Sequence, residues 1–224
     1  MVDLEVFNNL ERMATSSWAV WDERNENTSD FFLSKRKSFH GRVIFVGLNR
    51  SNIANDLSKV SPLSNFHTKG HVGDNRLKRF VQDNNLSNLI GGFMTDISEQ
   101  IETNSNRVDV EEQAAVKNFS EKVRLIDDSQ TRRIICFGNK VFDTFTNALG
   151  ISKSRIKENR DNKIKEVEVK GNYETWHFYR VWHYSNYGDF IHKSERELPV
   201  QLKYINDEIE NQTASKERSN TVAE

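Results

Sequence analysis

Residues 41–51 read GRVIFVGLNRS, an apolar run closed by a glycine and then by Asn49, Arg50 and Ser51. Val43 to Leu48 is continuous rather than alternating, the pattern of a short strand buried on both faces and therefore of a parallel sheet covered by helices. Far downstream, FYRVWHYSN at 178–186 is a second apolar-aromatic run that ends in polar residues, His183, Tyr184, Ser185 and Asn186. Ligands of open α/β sheets collect outside the carboxyl ends of the strands. These two strand ends are the candidate site.

Working outward, the elements alternate. Leu4, Phe7, Leu10 and Met13 recur every third residue and predict a short amphipathic helix over 3–14, followed by Trp18 and Trp21, so that 1–40 reads as an N-terminal helix and aromatic cover. After the first strand comes a long polar loop, about 49–73, then a helix capped by Asp74 with Leu77, Phe80 and Val81 inward. A second strand is expected over 89–97, a helix over 109–126, a third strand over 134–137 and a helix over 139–149 stopped by Gly150. Strands at 167–169 and 173–182, joined by a turn at Gly171 and Asn172, precede a last helix at 198–209. The order predicts an α/β fold, a three-layer α/β/α sandwich with a central, mainly parallel sheet, in one domain over 41–210 and a disordered polar tail at 211–224.

The totals are consistent with this. In 224 residues only 36% are hydrophobic and 29% charged, but 14 Phe, 5 Tyr and 4 Trp supply large apolar surfaces. The one cysteine, Cys136, lies in the apolar run RRIICFG, where a buried thiol is expected and a cytoplasmic location follows. No apolar run reaches the ~18 residues of a membrane helix, and the N-terminus has no signal-peptide pattern. The net charge of −1 hides a partition. Residues 35–81 hold ten basic against two acidic groups and 131–196 hold thirteen against eight, so the basic excess lies in the segments with the candidate motifs. Such a face suits phosphate, although the same charges also suit ordinary solvated surfaces. No phosphate-cradling G-x-x-x-x-G-K-[ST] loop occurs. His67 and His71 have the i, i+4 spacing of a metal pair, but Thr-Lys-Gly between them argues against a helix and no third ligand is evident. No cofactor is expected.

The ordered set RVIFVGLNRS, GDNRLKRFVQ, LIGGFMTDI, RIICFGNKVFDTF and FYRVWHYSNYG resembles the uracil-DNA glycosylase superfamily, especially its mismatch-specific uracil/thymine branch, over residues 41–209. That branch has a G-I-N-P-G strand end, an N-R-F-W helix, a G-K helix and a final N-P-S or H-P-S loop. The resemblance implies a DNA glycosylase-like hydrolase that flips a damaged, mismatched or modified base and cleaves its N-glycosidic bond, with DNA as partner, a repair role and a monomeric state. It implies that Asn49 orients water and His183 supports the leaving base, with Gly47 close to the nucleotide. Phe66 would stack on the base. Phe93 falls where uracil-specific members carry a base-reading Asn, with Thr95 and Asp96 the nearest polar residues. Ser185, Asn186 and Tyr187 would meet the backbone and wedge the duplex, and Arg50, Ser51, Arg76, Lys78 and Arg79 would contact phosphates.

Each residue also has a plainer role: Asn49 as a turn cap, His183 and Phe66 as packed side chains, Arg76, Lys78 and Arg79 as a solvated helix face. The chain departs from the pattern at Arg50 and Tyr184, which replace prolines, and at Phe93. Strict uracil specificity is therefore not implied. Two alternatives share the fold: a base- or nucleic-acid-binding sensor without catalysis, and an enzyme of free nucleosides or nucleotides.

Overall fold

The computed structural model describes residues 2–13, 15–23, 28–50, 63, 65–68, 70–102, 104–126, 129–186 and 188–221, with side chains as far as Ser215. It is the expected three-layer sandwich. Helix α1 (Leu4–Glu11) begins at Asp3, whose side chain accepts from the Val6 amide at 2.8 Å. The aromatic cover then joins the sheet: strand β1 (Ser17–Trp18) pairs antiparallel with β3 (Gly92–Asp96). A helix not anticipated, α2 (Ser29–Lys35), follows, capped by Thr28. It buries Phe32, and seven residues are too few for a helical period to stand out.

The centre of the sheet is β2 (His40–Gly47), β4 (Thr131–Phe137) and β7 (Thr175–Val181), parallel to one another and to β3. With β5 (Lys157–Asn159) and β6 (Ile164–Lys170) added antiparallel, the seven-stranded order is β1-β3-β2-β4-β7-β6-β5. Between β2 and β4 the order reverses, since the chain leaves β2 toward β3 and then crosses back to β4. In open α/β sheets a switch point of this kind marks the carboxyl edge as the place where ligands collect.

The continuous apolar strand is explained by two cores. Ile44 and Val46 face one layer with Phe119 and Val123 of α4 (Glu112–Arg124) and Phe142 and Phe145 of α5 (Asn139–Ala148). Val43 and Phe45 face the other, with Leu77 of α3 (Val72–Lys78) and Leu198, Leu202 and Ile205 of α6 (Leu198–Thr221). Gly138 makes the turn from β4 into α5 at φ 91°, a backbone region that glycine enters without steric cost.

Two expectations need correction, and one feature of the same helix was not anticipated. Helix α3 is N-capped by His71, and Asp74 sits in its first turn. Beyond Lys78 the helix continues as a π-helical turn, Arg79–Asp83. The polar segment 211–221 is not a disordered tail but the last part of α6. Arg133 of β4 bonds the Gln212 side chain, and Thr213 Oγ1 donates to the Ile209 carbonyl at 3.0 Å, so these two polar residues have partners on the sheet and the helix.

Candidate active site

The ends of β2 and β3 meet at Gly47. A Cβ there would overlap Asp96 Oδ1 and come within 3.1 Å of the Phe66 ring, so only glycine lets the carboxyl and the ring approach together. Asp96 Oδ2 accepts from Asn65 Nδ2 at 2.9 Å, and the same nitrogen reaches the Thr15 carbonyl at 3.0 Å. Burial pushes the Asp96 carboxyl up to about 7, against the opposing pull of Asn65, Lys122 and Arg50. Lys122, whose Nζ donates to Thr15 Oγ1 at 2.8 Å, is itself lowered by burial.

A chain of rings joins this corner to the end of β7. Phe66 is buried and held at φ 65°, an uncommon state for a residue with a Cβ. Its ring lies 6.0 Å from that of Tyr184, which stacks on His183 at 4.7 Å and meets the edge of Phe137 at 4.9 Å. The fold thus brings the region around Gly47 and the His183 loop to the same edge.

The two candidate catalytic side chains are oriented by the backbone. Asn49 Nδ2 donates to the carbonyls of Arg50 at 2.9 Å and Glu102 at 2.6 Å. With both acceptors on the nitrogen, the amide cannot flip, and Oδ1 accepts no hydrogen bond among the described residues. The loops after β2 and β3 are tied there by an Arg50–Ile101 bridge. His183 Nδ1 accepts from the Ser185 amide at 3.1 Å, so the neutral ring carries its proton on Nε2. Burial of the ring lowers its pKa to about 4, although part of the residue reaches the surface. At neutral pH this histidine is an uncharged donor.

Other candidates fall elsewhere. Phe93 does not face the site: it is fully buried on the α4–α5 side, edge-on to Trp18 at 5.2 Å, because alternation along β3 sends it away from Asp96. Thr95, also fully buried, lies 3.4 Å from Thr15 Oγ1 and bonds the Asp96 carbonyl, so it supports the strand end rather than offering a base-reading group. Arg76 is not on a solvated face. Buried to 3% exposure, it bonds Glu195 and the carbonyls of Tyr184 and Asn186. Lys78 Nζ reaches the Asp22 carbonyl at 3.0 Å, while Arg79, half exposed, bonds Glu195 and lies over the Phe80 ring. Ser185 packs on Gly73 at the start of α3, and Arg50 is partly buried, its pKa lowered by that burial against the pull of Asp96 and Asp74. Ser51 and Tyr187 lie outside the described residues.

His67 and His71 do not act as a pair. His67 Nε2 bonds the Trp18 carbonyl at 3.0 Å between the rings of Trp21 and Phe32. His71 instead contacts Asp74 at 3.0 Å, and that hydrogen bond raises its pKa. Among the described residues no three His, Cys, Asp or Glu side chains gather as metal ligands. Nor is any described helix long and apolar enough to cross a membrane.

Sequence reasoning missed Asn65, Lys122, Ser194 and Glu195. All four act through tertiary hydrogen bonds, and none carries a local motif. Compared with known proteins, the chain matches no protein-family profile and no curated protein.

Proposed function

We propose that this protein is a DNA glycosylase-like hydrolase that cleaves the N-glycosidic bond of a damaged, mismatched or modified base, a divergent relative of the uracil-DNA glycosylase superfamily. In this reading Asn49 Oδ1 accepts a hydrogen from water and aims its oxygen at the sugar C1′. As the C1′–N bond breaks, its electron pair leaves with the base, the water oxygen bonds to C1′ and the proton it sheds ends on the base, while His183 Nε2–H donates to the base oxygen on which that charge gathers. A neutral donor of this kind gains strength as charge develops, which is the condition for lowering the barrier. Asp96, beside Phe66, would meet the base edge, and Arg50, Arg79, Ser185 and Asn186 would meet the DNA backbone. Each role belongs to a side chain, so the reading invokes no cofactor. Buried Cys136 supports a reducing, cytoplasmic setting, and the monomer is the proposed unit.

The observation that carries this reading is the pairing of a pinned Asn49 amide with an Nε2-protonated His183 at one sheet edge. Base release from oligonucleotides bearing uracil, hypoxanthine or modified cytosine tests it. His183→Ala should lower the rate by about 10²–10³, the usual cost of losing one donor to developing charge. Full activity after Asn49→Ala and His183→Ala together contradicts it.

Recognition without reaction is the second reading. It is favoured by the burial of both Phe66 and Tyr184, whose rings lie against each other. Binding to the same oligonucleotides with every release assay blank selects it.

A further inference from the structure

The groups around the His183 loop form a single rigid linkage. Arg76, on α3, donates from Nη1 to the Tyr184 carbonyl at 2.6 Å and to the Asn186 carbonyl at 3.4 Å. Its Nε donates to Glu195 Oε1 at 2.6 Å, and Glu195 is also bonded by Arg79. Burial alone would raise the Glu195 carboxyl, but the two arginines outweigh it and hold the group below its ordinary value, so the anchor is charged. From the turn before α6, Ser194 Oγ bonds the His183 carbonyl.

The carbonyl of Tyr184 and the amide of Ser185 belong to one peptide unit. That unit is planar and trans, so its C=O and N–H point in opposite directions. Fixing the oxygen fixes the hydrogen. The Ser185 N–H donates to His183 Nδ1 at 3.1 Å.

We propose that Arg76 is a positioning residue that selects the tautomer of His183 through the Tyr184–Ser185 peptide: by holding the carbonyl toward α3 it aims the Ser185 N–H at Nδ1 and keeps the ring proton on Nε2. Its importance for base release rests on the function proposed above. The tautomer itself does not. A charge-assisted bond to a buried carbonyl is stronger than a neutral one, and no neutral side chain of similar reach presents two nitrogens in a fixed fork.

The test is ¹⁵N NMR of the histidine rings in the full chain without DNA, on wild type, Arg76→Gln, Arg76→Lys and Glu195→Gln. In the wild type His183 should be Nε2-protonated, titrating near 4. Arg76→Gln should mix the tautomers, while Arg76→Lys, which keeps one charged donor, retains part of the Nε2–H signal. Should Arg76→Gln not fold, Glu195→Gln, which loosens the guanidinium, must still shift the tautomer balance. An unchanged His183 in the folded variants overturns the proposal. So does a fall of about one unit in the salt slope of DNA binding for Arg76→Gln, which would mark Arg76 as a phosphate contact instead. Blank base release by the wild type, with the tautomer shift intact, removes the glycosylase reading and leaves the linkage standing.

Discussion

Replacing Asp96 by Asn takes a titration out of the interior of the site. In the fold the carboxyl ionises at about 7, against an ordinary value of 3.8. Asn65 Nδ2 bonds it and Lys122 and Arg50 attract its charge, yet burial, reinforced by repulsion from Asp74, outweighs them. Between those two pH values the native state keeps a proton that the unfolded chain has released. Stability therefore falls as pH rises, by ~1.4 kcal/mol per unit, starting near 3.8 and levelling off above about 7. From pH 5 to pH 8 this one group removes about 3 kcal/mol from the wild type. Asn has nearly the same volume, its oxygen still accepts from Asn65, and it does not ionise. Urea unfolding of both proteins at unit steps of pH, extrapolated to water, should show the variant gaining on the wild type by about 3 kcal/mol over that range. A constant gap would mean that Asp96 titrates alike in both states. A gap that moves the other way would mean that Lys122 and Arg50 outweigh burial, and either result refutes the reasoning.

Two further substitutions separate the site from its support. Gly47→Ala places a methyl against Asp96 Oδ1 and the Phe66 ring; it should cost about 1–3 kcal/mol and depress base release, and a variant with wild-type stability and activity would show the corner to be loosely packed. Phe93→Ala should cost about 3–5 kcal/mol in denaturant unfolding while leaving the preference among bases unchanged, because Phe93 belongs to the far core; a changed preference would return it to the site.

Much of the architecture was legible before any coordinates. Val43 to Leu48 lacks polar residues because both faces of β2 are covered, and that burial is written directly into composition. The places of Asn49 and His183 just after their strands were legible because polar groups mark the end of an apolar run. The short helix α2 and the two-residue β1 were not legible, since neither is long enough to display a period. The helical end of α6 was not legible for another reason: Gln212 is partnered by Arg133 and Thr213 by the preceding helical turn, and composition does not record partners.

Asp96 and Phe93 separate the two kinds of information most clearly. Alternation along a strand follows from the chain alone, so the sequence by itself determined that Asp96 shares a face with Met94 and that Phe93 shares the opposite one with Thr95. Which face borders the candidate site was decided only when β3 paired with β2 and set Asp96 beside Gly47. Arg76 belongs with the second case. Its place on a helix after a polar loop was readable, but whether that position met water or the His183 loop depended on how α3 packed against the end of β7. Periodicity is a property of neighbours along the backbone, whereas burial and hydrogen-bond partners come from segments that are close only once folded. The desolvation that sets the charge of Asp96 and His183 therefore arises only in the tertiary structure.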